Sequence, residues 1–102
     1  MIITKEEFNI MIEKSKIENK IIILKFEAQW CGPCRVLSPI IDKIAEENPE
    51  IQIVKVNVDE NSELSTEFSI KSIPAVFIYK NGEQTAKFAG MKSKEDILKL
   101  VK

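Results

Sequence analysis

Two β-prone runs separated by one amphipathic helix constrain this chain more than any other feature. The first run, "NKIIILKFEA" at 19–28, is too short and too rich in isoleucine to be a helix. The second is "IQIVKVNVD" at 51–59. Between them, Val36, Leu37, Ile40, Ile41, Ile44 and Ala45 repeat at a four-residue spacing. That spacing puts one apolar stripe on a long helix, which "ENPE" at 47–50 ends. Strand, helix and strand at these intervals imply a right-handed parallel crossover. Both strands read as buried.

The flanking segments complete the layout. Thr4 and Glu7 have capping-box spacing ahead of Phe8, Met11 and Ile12, so a helix starts near Lys5. Asn61 is placed as the cap of a short helix with Leu64 and Phe68 on its apolar face. "AVFIYKNGEQTAKF" is a hairpin about Asn81-Gly82. Ser93 opens a last helix carrying Ile97, Leu98 and Val101. A further short strand is expected at Ile2-Ile3. The class is α/β, a mixed sheet covered by helices on both faces, and 102 residues suit one domain over 1–102.

Charge excludes some functions. Fifteen basic residues stand against 16 acidic ones, and no basic stripe marks a nucleic-acid or membrane surface. "MIITKEEF" lacks the apolar stretch of a signal peptide. A cytoplasmic protein is expected, in a compartment where thiols are kept reduced.

Against that background, "AQWCGPCRVL" at 28–37 stands out, because it holds the chain's two cysteines and its one tryptophan. The strand ends just before Trp30, so Cys31 falls at the helix N-cap and Cys34 in the first turn. Backbone N–H groups and the positive end of the helix dipole favour a thiolate at Cys31. Gly32 leaves that sulfur uncrowded. Pro33 fixes φ in the first turn, where its missing N–H costs nothing. The Cys34 amide then becomes a natural donor to the Cys31 sulfur. Cys31 is expected to be exposed and Cys34 to point under the helix. A disulfide here closes a very short loop and stabilises little, which favours a bond that opens and closes. A closed zinc site needs four ligands, and the chain has two cysteines and no histidine. Metal binding across a dimer or with carboxylates, and an inert pair, are the alternatives.

"WCGPC" followed by a basic residue resembles the active-site motif of the thioredoxin family. So do "SIPA" at 72–75, "KNGE" at 80–83, "KVNVDEN" at 55–61, Pro39 within the helix, and "FAGMKSKEDILKLV" at 88–101. The resemblance covers essentially the whole chain. It implies a central five-stranded mixed sheet flanked by four helices, and reduction of protein disulfides through a mixed disulfide. It makes Cys31 the nucleophile and Cys34 the resolving thiol. Trp30 would be an apolar platform, or else an ordinary packing aromatic. Ile73 and Pro74 would form a substrate loop with a cis bond, and Gly90 would lie beside the site, where a side chain obstructs the substrate. Pro39 shapes the helix, and Arg35 is a surface residue near the thiolate. Three widely separated glycines, Gly32, Gly82 and Gly90, offer no phosphate loop. No bound cofactor is therefore expected beyond the Cys31–Cys34 disulfide. The family implies electrons from a thioredoxin reductase, either NADPH- and flavin-dependent or ferredoxin-linked, disulfide-containing proteins as substrates, and a monomer. A non-catalytic binding module of the same fold, or a disulfide oxidase or isomerase, is the alternative function.

One position departs from the family. Lys25 stands where its members usually carry a buried aspartate, commonly assigned as proton acceptor for the resolving cysteine. Lys55 resembles the lysine that partners that aspartate. Glu27 replaces a residue that is usually aromatic and shares a strand face with Lys25. Glu27 is expected to pair with Lys25 or Lys55 and to relay the proton through water. The alternative is that Lys25 snorkels to the sheet edge and bulk water takes the proton.

Overall fold

The computed structural model describes residues 2–102, so the first residue of the expected domain, Met1, lies outside the described residues. The chain runs α1 (Lys5–Glu18), β1 (Ile21–Glu27), α2 (Gly32–Glu47), β2 (Ile51–Asn57), α3 (Ser62–Glu67), β3 (Ala75–Lys80), β4 (Glu83–Ala89) and α4 (Lys94–Val101). The sheet order is β2-β1-β3-β4. β1 pairs parallel with β2 and antiparallel with β3, and β3 pairs antiparallel with β4. The βαβ crossover and the hairpin are therefore as the patterning implied. Asn81 and Gly82 take φ of 52° and 80°, the left-handed pair that a tight two-residue hairpin requires.

β1 is the central strand and is buried on both faces. Ile22, Leu24 and Phe26 pack with Phe8 and Ile12 of α1 and Leu64 of α3. Ile23 packs on the opposite face with Leu37, Ile41 and Ile44 of α2 and with Ile97 and Val101 of α4. The capping box at Thr4 and Glu7 closes both ways, and Ser93 caps α4. These caps hold α1 and α4 in place over the two faces.

Four expectations change. The sheet has four strands among the described residues, because Ile2-Ile3 forms none. The Ile3 N–H donates instead to Asn61 Oδ1 at 2.6 Å, and its side chain is buried in the core. Asn61 stands at the α3 N-cap, but its side chain makes no capping bond there; it ties Ile3 to the β2–α3 turn by also donating to the Asn57 carbonyl at 3.0 Å. β2 is not buried throughout, because it is an edge strand, and Gln52 and Lys55 face solvent. Val36 leaves the apolar stripe and is 58% exposed on the outer side of α2.

Asn61→Ala leaves the buried N–H of Ile3 without its acceptor. A loss of about 1–3 kcal/mol is expected from stranding such a group. Urea denaturation measures it, and a change near zero would show that water replaces the amide freely.

Candidate functional site

The site is built on the C-terminal end of β1. The chain leaves the sheet at Glu27, turns through Ala28 to Trp30, and enters α2 with Cys31 as N-cap in extended backbone, φ −87° and ψ 109°. The Cys31 N–H donates to the Ala28 carbonyl at 3.2 Å. The Arg35 guanidinium donates twice to the Gln29 carbonyl, at 3.0 and 2.8 Å, so Arg35 clamps the turn in addition to presenting charge. With Pro33 unable to donate, the Cys34 N–H points at Cys31 Sγ at 3.2 Å. The two cysteines form a disulfide with Cα atoms 5.3 Å apart.

Around the disulfide, Ile73-Pro74 is cis, and the Ile73 carbonyl oxygen lies 3.8 Å from Cys31 Sγ. The Pro74 carbonyl accepts from the Gly90 N–H at 2.8 Å, which brings Gly90 to the same end of the sheet. Gly90 has φ of 81°, and a Cβ there would meet nothing. Within the chain, the backbone angle explains this glycine and steric room does not. A Cβ at Gly32 would meet nothing within 4 Å beyond its chain neighbours Cys31 and Pro33, so no other residue requires a glycine there. Trp30 is 68% exposed and does not pack into the core. Its indole N–H donates to Asp59 Oδ2 at 2.8 Å, which fixes the ring as an outward apolar surface.

The expected contrast in cysteine exposure is absent. Cys31 is 4% exposed and Cys34 2%. Ala28, Val58 and Ile73 pack around the pair, and this loop cover shields Cys31 in the oxidised state.

Beneath the cysteines lies a polar group that no soluble core needs. Lys25 is 0% exposed. Its Nζ reaches Glu27 Oε1 at 2.9 Å and Ser38 Oγ at 2.6 Å, and Ser38 Oγ donates to the same Glu27 Oε1 at 3.2 Å. Lys25 therefore does not snorkel to an edge, and Glu27 takes Lys25 as its partner. Lys55 lies opposite Lys25 in the β1–β2 register but pairs with Asp42 of α2 at 3.3 Å, half-exposed. An open cleft of about 460 Å³ brings Glu27, Cys34, Arg35 and Ser38 together. The sequence reading missed Ser38 and Asp59. Ser38 had one signal: it stands four residues after Cys34 and hence on the same helix face. Asp59 had none, since it meets Trp30 only through the fold.

Chemically, this is a thiol pair at a helix N-terminus, closed as a disulfide, with a carboxylate-lined cleft at one cysteine and a backbone carbonyl at the other. That arrangement supports reversible dithiol–disulfide exchange. Among the described residues, no group of three His, Cys, Asp or Glu side chains is placed to hold a metal ion. No helix is long and apolar enough to cross a membrane.

A family model described as thioredoxin matches residues 1–102. A thioredoxin of Chlamydia pneumoniae is 38% identical over 100 residues, covering 98% of this chain and 93% of the relative. A thioredoxin of Rickettsia felis is 41% identical over 78 residues, covering 76% and 74%. Among solved structures, Fasciola hepatica thioredoxin superposes with a TM-score of 0.84 at 30% identity, covering 97% of this chain and 94% of that one.

The buried pair generates an asymmetric prediction. Removing Glu27 as Glu27→Ala strands a fully buried ammonium, and a loss of about 3 kcal/mol is expected. Lys25→Met removes the buried charge itself and leaves Glu27 at the open cleft. Its cost is expected to stay within about 1 kcal/mol, or to reverse sign. Urea melts of the two variants compare them; equal losses would mean that stranding the ammonium is not what destabilises the Glu27→Ala protein.

Proposed function

The chain belongs to the thioredoxin family of redox-active oxidoreductases, and from that premise we propose the roles of its residues in protein disulfide reduction. Cys31 is the nucleophile and Cys34 the resolving thiol. The observation that carries this assignment is the Cys34 N–H directed at Cys31 Sγ at 3.2 Å. A backbone donor at a helix N-cap stabilises negative charge on that sulfur.

The reduced Cys31 thiolate attacks one sulfur of a substrate disulfide. A Cys31–substrate bond forms, and the other substrate sulfur leaves as a thiolate. Cys34 then loses its proton and attacks Cys31 Sγ. The Cys31–Cys34 bond closes, and the second substrate sulfur leaves. Two electrons have passed from the dithiol to the substrate. Ile73, set by the cis bond to Pro74, pairs its backbone with an extended substrate segment beside Cys31, a short piece of β-addition. Trp30 supplies an apolar platform at 68% exposure, and Gly90 keeps that approach clear.

Glu27 accepts the Cys34 proton through a cleft water, in the role that a buried aspartate has in other members of the family. Its support is that Glu27 and Cys34 line one cleft and that Glu27 is the carboxylate paired with Lys25. Lys55 tunes the site only from a distance, through Asp42. The protein works with the disulfide alone as its redox group. Its electrons come from a thioredoxin reductase, NADPH- and flavin-dependent or ferredoxin-linked, and it acts as a monomer in the cytoplasm on disulfide-containing proteins.

Two variants test the roles. Cys31→Ser is expected to abolish reduction of insulin disulfides. Cys34→Ser is expected to accumulate a mixed disulfide visible by mass spectrometry. Trapping by Cys31→Ser and none by Cys34→Ser would reverse the assignment. In single-turnover kinetics near neutral pH, Glu27→Gln is expected to slow resolution while leaving the attack by Cys31 unchanged. Unaltered resolution would leave bulk water as the acceptor.

A further inference from the structure

Ser38 has a chemistry that none of the roles above uses. It lies one helical turn beyond Cys34, on the same face of α2, and lines the same cleft. Its hydroxyl is held between Lys25 Nζ at 2.6 Å and Glu27 Oε1 at 3.2 Å. The direction of these bonds is determined by the partners. An ammonium only donates, and an ionised carboxylate only accepts. The single hydroxyl hydrogen of Ser38 therefore points to Glu27.

Lys25 Nζ reaches that same oxygen at 2.9 Å. Oε1 thus receives two donors, one from β1 and one from α2. Both contacts fall on Oε1, and none of the hydrogen bonds among the described residues reaches Oε2. The Glu27 side chain is 26% exposed and borders the cleft that Cys34 also lines. A single ion pair would leave the terminal torsion of a glutamate broad. Two donors on one oxygen, from two different elements, remove that freedom.

We infer that Ser38 is a positioning residue for the resolving step: it pins Oε1 so that Oε2 is presented to the cleft as the acceptor for Cys34. The inference rests on the reading that Glu27 takes that proton. In the step, the Cys34 thiol proton passes through a cleft water to Oε2. The thiolate attacks Cys31 Sγ, the Cys31–substrate bond breaks, and the Cys31–Cys34 bond forms. The departing substrate thiolate is protonated from water, and the proton on Glu27 returns to solvent at the cleft mouth.

Single-turnover resolution, followed from mildly acidic to alkaline pH, tests this. Ser38→Ala is expected to slow resolution about tenfold near neutral pH, part of the ~10²–10⁴ that proton transfer by a placed side chain contributes. The deficit closes at alkaline pH, where the thiol ionises without help. Attack by Cys31 is unchanged, and Ser38→Thr, which keeps the hydroxyl, restores the rate. A deficit equal at every pH, no deficit, or no rescue by Ser38→Thr overturns the inference. Glu27→Gln in parallel separates the two levels. If it slows resolution while Ser38→Ala does not, the Glu27 reading stands and the Ser38 role falls; if it has no effect, both fall.

Discussion

The burial of β1 on both faces is the constraint from which the rest of the architecture follows. A strand that pairs on both edges and is covered by helices above and below cannot shift register without moving apolar side chains out of two cores. Ile22, Leu24 and Phe26 lock it to the α1/α3 face, and Ile23 locks it to the α2/α4 face. The turn at 28–30 hangs from its end, and α2 is anchored through Leu37, Ile41 and Ile44. Cys31 and Cys34 are thus placed by packing several residues away from any chemistry. The antiparallel neighbour β3 begins immediately after Pro74, so the same end of the sheet that delivers the cysteines delivers the Ile73 carbonyl opposite them.

Within that strand, Lys25 is the exception that needs an account. A fully buried ammonium is expensive unless it is paired and its hydrogens are used. Glu27 supplies the charge and Ser38 a neutral acceptor, from positions two residues along the strand and across on α2. The pair is placed where it remains near water on one side only, since Glu27 borders the cleft and Lys25 does not. Exchange of the family's usual acid for a base at position 25 thus comes with a carboxylate returned to the same region. No uncompensated buried charge results.

The local geometry at the cysteines was legible in the sequence because backbone chemistry dictates it. A proline one residue before Cys34 cannot donate, so the next free amide had to be that of Cys34, and the 3.2 Å contact follows. The caps at Thr4 and Ser93 and the Asn81-Gly82 hairpin were legible for the same reason. Properties set by neighbours distant in the chain were not. The cover that Val58 and Ile73 place over Cys31, and the capture of the Ile3 N–H by Asn61 in place of a fifth strand, depend on residues brought together only by folding. Periodicity also put Val36 on the apolar stripe, but α2 packs over an arc too narrow to include it. The choice Glu27 made between Lys25 and Lys55 turned on an edge: β2 is the outer strand, so Lys55 reaches Asp42 and water, while Lys25, on the central strand, has nowhere else to go.

A last consequence concerns charge balance in the proposed relay. When Cys34 gives its proton to Glu27, a negative charge leaves the carboxylate and appears on sulfur. If the acceptor were a lone buried carboxylate, the set would carry one net negative charge before and after the transfer, in a poorly solvated place. With Lys25 fixed beneath, the set of Lys25, Glu27 and Cys34 is neutral on both sides of the step. The Ser38 hydroxyl that joined the cation to the carboxylate is free to turn once Glu27 is protonated, since a carboxylic acid oxygen holds a donor less strongly than a carboxylate. A neutral set avoids the solvation penalty of holding a net charge in a poorly solvated place. On this reading the lysine at position 25 is the counter-ion that keeps the set neutral on both sides of the proton transfer.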